Sequence, residues 1–296
     1  MKKVLLRAPL LTNSGYGVHS RQVFEWLLEK DIELDVECLK WGNTPWLLDD
    51  ENNRIVREIM LRSKKLSPPY DVTFQLQLPD EWDPSLGNYN VGMSAFVETQ
   101  NCNPKWVDAC NKMDQVIAPS TFTKNVVKRS GMLTKPIDVV NEWYNDKIDE
   151  VEEPLDLDEV ITEKNYLMVS VLTAINPSDD RKNLIKTLKW IFEHHKDDED
   201  VGIILKTSLG RGSKKDLIET DKYLTELVNQ VRQGPNPKLY LMHGNMTDTE
   251  IARLYKSEKI KCLVTATRGE GYGLPLIEAA ASGLPIIATN WSGHLE

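Results

Sequence analysis

Residues 262–291, CLVTATRGEGYGLPLIEAAASGLPIIATNW, decide the fold. Cys262 to Ala266 is an apolar run of strand length, Thr267 to Leu274 is a polar glycine-rich loop, and Pro285 to Thr289 is a second apolar strand. Between loop and second strand the pattern predicts a short helix that opens on Pro275 and stops at Gly283. Proline suits the first helical position, where its missing N–H is no loss, and glycine suits the position just past the last turn. Such a strand, loop, helix, strand unit is half of a doubly wound α/β sheet, in which ligands sit beyond the carboxyl ends of parallel strands. Glu270 to Gly273 are therefore expected at a ligand crevice.

The loop chemistry narrows the ligand. Gly271 and Gly273 remove side chains from a loop whose amides can then face an anion, and the helix that follows adds its positive end. Glu270 in the loop and Glu278 in the first turns of the helix supply two carboxylates able to bind hydroxyls. Each residue also has a plainer use: a carboxylate favours a helix N-terminus, and glycines turn a chain.

With Glu270 and Glu278 in E-x7-E spacing, GEGYGLPLIEAAASGLPIIAT resembles the donor-site signature of retaining GT-B glycosyltransferases, most closely glycosyltransferase family 4. The resemblance implies two Rossmann-like doubly wound domains facing across a cleft and transfer from a nucleotide sugar, UDP- or GDP-linked, with retention. It implies that Glu270 contacts donor-sugar hydroxyls and Glu278 the ribose. The loop amides from Gly271 through Tyr272, Gly273 and Leu274 meet the diphosphate.

The N-terminal half fits the same reading. Lys3 to Arg7 is a strand, followed by TNSGYG and an amphipathic helix through VHSRQVFEWLLEK with Phe24, Leu27 and Leu28 inward. Gly15 and Gly17 open that helix and form a candidate phosphate or sugar cradle, although the loop is neither GxGxxG nor a P-loop. In the family such a loop approaches the donor diphosphate. Further strands are predicted at Leu34–Leu39, Val72–Leu76 and Val91–Val97, with a helix over 52–64. Ser120 reads as a helix N-cap and Gly131 as that helix's end. Many family members carry a His on the acceptor side where this chain has Glu98, a candidate substrate contact.

Residues 146–163, DKIDEVEEPLDLDEVITE, are densely acidic and read as a solvated linker between a first domain over 1–150 and a second over 164–296. In the second, YLMVSVLTA is a buried strand, and Leu184, Leu188, Ile191 and Phe192 recur at helical spacing. Arg181 and Lys182 stand at that helix's N-terminus, where cations oppose the dipole unless an anion is bound. The resemblance gives Lys182 the phosphate-gripping role. The family's second cation, usually an Arg ending the preceding strand, is missing here, and Arg181 or Lys206 is the substitute. His243 ends a strand on the same side and reads as structural. Family members usually continue past WSGHLE, so the second domain reads as incomplete, with self-association through exposed apolar surface as the expected consequence.

Composition sets limits. The chain has 296 residues, 41% of them hydrophobic, enough for two ordinary α/β domains. A net charge of −9 argues against a broad basic face for nucleic acid or anionic membrane. No run approaches a membrane span and KKVLLRAPLL is too brief for a signal peptide, so a cytoplasmic protein is expected. The four cysteines lack metal-ligand or CxxC spacing, and no DxD-like pair ends a strand, so neither disulfides nor a metal is expected. Two other functions share these residues: a glycosidase using Glu270 and Glu278 as acid and nucleophile, and a non-enzymatic binder of nucleotides or carbohydrates. The anion loop and the Arg181–Lys182 pair have no purpose in the first. Diphosphate binding without turnover marks the second.

Overall fold

A computed structural model describes residues 1–47, 50–96, 99–172, 178–232 and 234–296. The expected strand Val91–Val97 therefore runs partly outside the described residues, and so does Glu98. The chain packs as two units, the first comprising Met1–Trp143, Glu270–Gly273 and Ser292–Glu296, the second Tyr144–Gly269 and Leu274–Trp291.

The first unit contains β1 (Lys2–Ala8), α1 (Gly15–Leu28), β2 (Ile32–Cys38), α2 (Asn53–Arg62), β3 (Tyr70–Leu76), β4 (Gly87–Met93), α3 (Pro104–Cys110), β5 (Gln115–Ala118), α4 (Thr121–Ser130) and β6 (Ile137–Val139). The strands form a parallel sheet in the order β2-β1-β3-β4-β5-β6. Side chains leave a strand on alternate faces, so a sheet covered on both sides needs apolar residues throughout. Val4 and Leu6 of β1 accordingly join Phe24 and Leu27 of α1 on one face. Val116 and Ala118 pack with Val126 and Val127 of α4. Ser120 is the α4 N-cap, its hydroxyl accepting from the Thr123 amide. β4 lies earlier than its apolar run suggests, because Gly87 and Tyr89 pair with Tyr70 and Val72 of β3.

The second unit contains α5 (Lys147–Glu150), β7 (Lys164–Val169), α6 (Leu184–His194), β8 (Val201–Thr207), α7 (Lys214–Val231), β9 (Lys238–His243), α8 (Asp248–Tyr255), β10 (Ile260–Thr265), α9 (Leu274–Ala281) and β11 (Ile286–Ala288). Its sheet is also parallel, in the order β11-β10-β7-β8-β9. Leu167 and Ile204 point to the core shared with α8 and α9, whereas Met168, Ile203 and Leu205 point to the core under α6 and α7. The decisive stretch folds as read: β10, loop, α9 from Leu274, a left-handed Gly283 with φ of 78°, then β11.

The acidic segment after residue 146 is more than a solvated tether. Ile148, Leu157 and Val160 are buried in the second core. Lys256 donates to the carbonyl of Val151 and Lys259 to those of Leu157 and Val160. Its few apolar residues face inward while the carboxylates remain in water, a division that the charge density hides at sequence level. Among the described residues no helix is long and apolar enough to cross a membrane.

Candidate functional site

In the first unit, the glycine loop after β1 is built largely for packing. The Ser14 hydroxyl caps α1 by accepting from the Gly17 amide at 3.0 Å. A Cβ on Gly17 would lie 2.0 Å from the Thr12 carbonyl oxygen, so close backbone approach alone demands glycine there. Arg21 of α1 donates to the carbonyls of Leu10 and Thr12, at 3.0 Å each, and fixes the same turn. Tyr16 stacks on Trp41 with ring centroids 3.9 Å apart, and its hydroxyl meets Ser94 Oγ at 2.9 Å and the Ala95 amide at 3.0 Å.

Packed within the same unit, the backbone of Glu270 and Gly271 is held from several sides. The Glu270 amide donates to Ser292 Oγ at 2.9 Å, and its carbonyl accepts from the Gly293 amide at 2.9 Å. The Gly271 carbonyl accepts from Ser120 Oγ at 2.6 Å and Thr123 Oγ1 at 3.2 Å. By contrast, the amides of Gly271, Tyr272 and Gly273 donate to no acceptor among the described residues. Gly273 has φ of 99°, a left-handed conformation that favours glycine. Successive free amides running into a helix are the arrangement that receives anionic oxygens.

The Glu270 side chain is buried, at 6% exposure. Two buried groups that sequence reasoning missed belong to the same unit, His19 of α1 and Glu142 in the loop after β6, with His19 Nδ1 3.6 Å from Glu142 Oε1. Burial, with the Glu270 charge adding to it, pushes the Glu142 carboxyl up to about 8, and burial pushes His19 down to about 4. No local motif marks either residue.

In the second unit, Arg181 and Lys182 precede α6, as expected, and are half-buried. The Arg181 guanidinium donates to the Gly269 carbonyl at 2.8 Å, and the Arg181 carbonyl accepts from the Arg268 amide at 2.9 Å. Arg181 therefore braces the loop after β10. The α6 dipole is answered within the chain, because Asp180 Oδ2 accepts from the Ile185 amide at 3.2 Å. Lys206, near the carboxyl end of β8, is half-buried, and its ammonium has no partner among the described residues. Burial pulls its pKa below the ordinary lysine value.

Glu278 of α9 accepts from the Tyr255 hydroxyl at 3.2 Å. Burial pushes its carboxyl up to about 7, with the Asp248 charge adding to the rise and the Tyr255 bond opposing it. His243 ends β9 with Nε2 3.0 Å from Asp216 Oδ2, which also accepts from the Gly212 amide. This buried pair fastens the turn after β8 to the end of β9, a structural use in keeping with the sequence reading. The structure thus brings Arg181 together with the base of the glutamate loop. It groups Glu270, Gly271, Tyr272 and Gly273 with Gly15 and Gly17 in the first unit, and Lys182, Lys206, Leu274 and Glu278 in the second.

These two Rossmann-like parallel-sheet units define the fold of the GT-B glycosyltransferases. The sucrose-phosphate synthase of Thermosynechococcus elongatus shares it with a TM-score of 0.63 at 14% identity, over 99% of this chain and 82% of that one. HepE of Anabaena, solved with UDP and glucose, gives 0.58 at 14% identity over 100% and 82%. An Escherichia coli trehalose-6-phosphate protein bound to UDP-2-fluoro glucose gives 0.60 at 10% identity over 98% and 85%. Residues 219–296 match the family described as glycosyl transferases group 1. The serotype-specific mannosyltransferase WbdA of Escherichia coli is 43% identical over 63 residues, which span 21% of this chain and 7% of that protein's length.

Proposed function

We propose that this chain transfers a sugar from a nucleotide-diphosphate donor to an acceptor hydroxyl, with retention of anomeric configuration and without a divalent metal. The observation that carries the reading is the run of amides from Gly271 to Gly273, which donate to no acceptor among the described residues and lead into α9, inside the segment that matches glycosyl transferases group 1. The half-buried ammonium of Lys206, without a partner among the described residues, supports it independently, because an anion suits such a group.

In this reading Lys206 and Lys182 stabilise the departing diphosphate by fixed charge, and Arg181 holds the loop that presents the amides. Glu278 accepts from the ribose and Glu270 from the donor sugar. The mannosyltransferase relative and the UDP-bound neighbours make mannose and glucose nucleotides the first donors to try. A cytoplasmic location suits such donors. The test is a calorimetric screen of UDP-, GDP- and ADP-sugars followed by product analysis. Binding of one donor class, an anomeric configuration unchanged in the NMR spectrum of the product, and a rate unaltered by EDTA are expected. Failure to bind any nucleotide sugar would refute the proposal.

A further inference from the structure

A net charge of −9 conceals a local reversal of sign in the first unit. Residues 104–135 hold six basic residues, Lys105, Lys112, Lys124, Lys128, Arg129 and Lys135, against two acids, Asp108 and Asp114. Asp114 is taken up by the Asn90 amide, which donates to it at 2.8 Å. Among the described residues none of the six cations makes an ion pair. Other helices answer their cations: on α6 and α7, Lys189 faces Glu193 at 3.5 Å, Lys215 faces Glu219 at 3.7 Å and Lys222 faces Glu226 at 4.0 Å, each one turn away. Helix α4 carries no acid at all, so its lysines have no such neighbour.

The fold gathers these cations around one turn. Asn111, just past α3, donates to the Met132 carbonyl at 2.7 Å and accepts from the Thr134 amide at 2.7 Å and hydroxyl at 2.9 Å. The turn after α4 is thereby fastened next to Lys112 and runs on into Lys135. At the other end of α3, the Cys102 amide donates to Ser130 Oγ at 2.8 Å, and Arg129 Nε donates to the Gln100 carbonyl at 2.6 Å. Lys105 and Lys112 are seven residues apart and Lys124 and Lys128 four, spacings that repeat on one side of a helix. Within the turn, Leu133 packs on the core that holds Val107 and Val126, while Met132 is 84% exposed. Pinned through its own carbonyl and through Thr134, Met132 is held as an apolar tip among the cations.

We propose that the α3–α4 surface is a docking face for an anionic lipid bilayer, with Met132 entering the headgroup layer and Lys105, Lys112, Lys128, Arg129 and Lys135 meeting lipid phosphates. An anionic polymer in water would satisfy the cations but leave Met132 in solvent, whereas a bilayer offers negative charge and hydrocarbon at one boundary. Lysine suits that boundary, because its methylenes lie along apolar groups while the ammonium stays hydrated. The contact is peripheral, since among the described residues no helix is long and apolar enough to cross a membrane. It is also reversible by salt: each exposed Lys or Arg near such a surface strengthens binding only about fivefold, and its attraction is screened. Docking is independent of the function proposed above, and a chain that binds no nucleotide sugar would still dock.

Flotation of the full chain with vesicles tests this. Vesicles of mixed phosphatidylglycerol and phosphatidylcholine should carry the protein upward at low salt and release it at high salt, and vesicles of phosphatidylcholine alone should leave it behind. The triple variant K112Q/K128Q/K135Q replaces side chains that have no hydrogen bond or ion pair among the described residues, so it should fold normally and lose affinity roughly a hundredfold. K189Q/K215Q/K222Q changes the net charge equally on the second unit and should bind as wild type does. M132S should weaken binding about tenfold. A wild-type chain that floats with neither vesicle, or equal losses in the two triple variants, would overturn the proposal. Wild-type affinity in M132S would overturn the entry of Met132 and with it the choice of a bilayer. Binding of a single-stranded oligonucleotide in place of vesicles, abolished by the first triple variant, would make the partner a nucleic acid and overturn the proposal as well.

Discussion

The two sheets end in opposite chemistry. At the carboxyl end of the first sheet, His19, Glu142 and Glu270 are buried acids and a neutral base, and the glycine loop after β1 is spent on contacts with its own chain. At the end of the second sheet, Lys206 is a half-buried cation without a partner among the described residues, Lys182 and Arg181 precede α6, and Glu278 is a half-buried acid bonded by the Tyr255 hydroxyl. Both folds present loops beyond parallel strands. The same scaffold therefore leaves ligand chemistry to a few side chains. At these sheet ends the first unit thus collects buried carboxyls beside the Gly271–Gly273 amides, and the second collects the basic side chains.

The sharpest break of that contrast comes from Lys182. Lys182→Ala should remove about 2.7 to 4 kcal/mol of transition-state stabilisation, a loss on the order of a hundred- to a thousandfold in kcat/KM, while thermal unfolding barely moves. Wild-type turnover in that variant would end its role and leave the second sheet's cationic character to Lys206.

Gly17→Ala tests the claim that the first glycine loop serves packing. A methyl group forced to 2.0 Å from a backbone oxygen must displace the turn, at a cost of about 1 to 3 kcal/mol. The melting temperature should drop. A variant of unchanged stability that has lost donor affinity would make this loop a ligand cradle after all and erase the contrast.

Lys206→Met is expected to do the reverse of most binding-site changes. Losing a charge-assisted contact should weaken nucleoside diphosphate by about 1.5 to 3 kcal/mol in calorimetry. Stability should rise, because a half-buried cation without a countercharge among the described residues is replaced by an apolar chain of similar length. If UDP affinity is unchanged, or stability falls, Lys206 has an occupant within the protein and the second sheet is not poised for an anion.

The smallest effects separate the two glutamates. Glu278→Ala should weaken free nucleoside diphosphate and nucleotide sugar alike, and Glu270→Ala only the nucleotide sugar. Because the folded Glu278 carboxyl is raised from 4.5 to about 7, its contribution to stability is fully present below about pH 4.5 and is lost as pH rises through 7. Glu278→Gln should flatten that decline in melting temperature between pH 5 and 8. Over the same interval wild-type affinity for UDP should grow as the carboxylate forms to accept from the ribose. A pH-independent affinity would remove Glu278 from the ribose and leave the second sheet without a hydroxyl-binding acid.

Much of this was written locally in the sequence. Apolar runs of strand length, glycine at Gly283 and the N-cap serine at Ser120 report backbone preferences acting over a few residues, which is why the strand, loop, helix, strand unit and both parallel sheets follow from them. Lys182 before α6 and the glycines of the loop between β10 and α9 were legible for the same reason. The acidic segment misled, because charge density says nothing of where Ile148 and Leu157 point.

Only the tertiary structure decided which groups share a dry environment. Gln22 and Trp143 are 121 residues apart, yet their paired bonds bring Glu142 to His19, and no spacing rule reaches across that distance. It likewise decided that Arg181 braces a loop while Lys206 has no partner among the described residues, since desolvation and pairing belong to the folded surroundings and not to the residue. The sequence by itself determined the backbone path and the kinds of charge available; folding determined which of those charges were buried, paired or left open, because burial is a property of neighbours that the chain meets only once its sheets have closed.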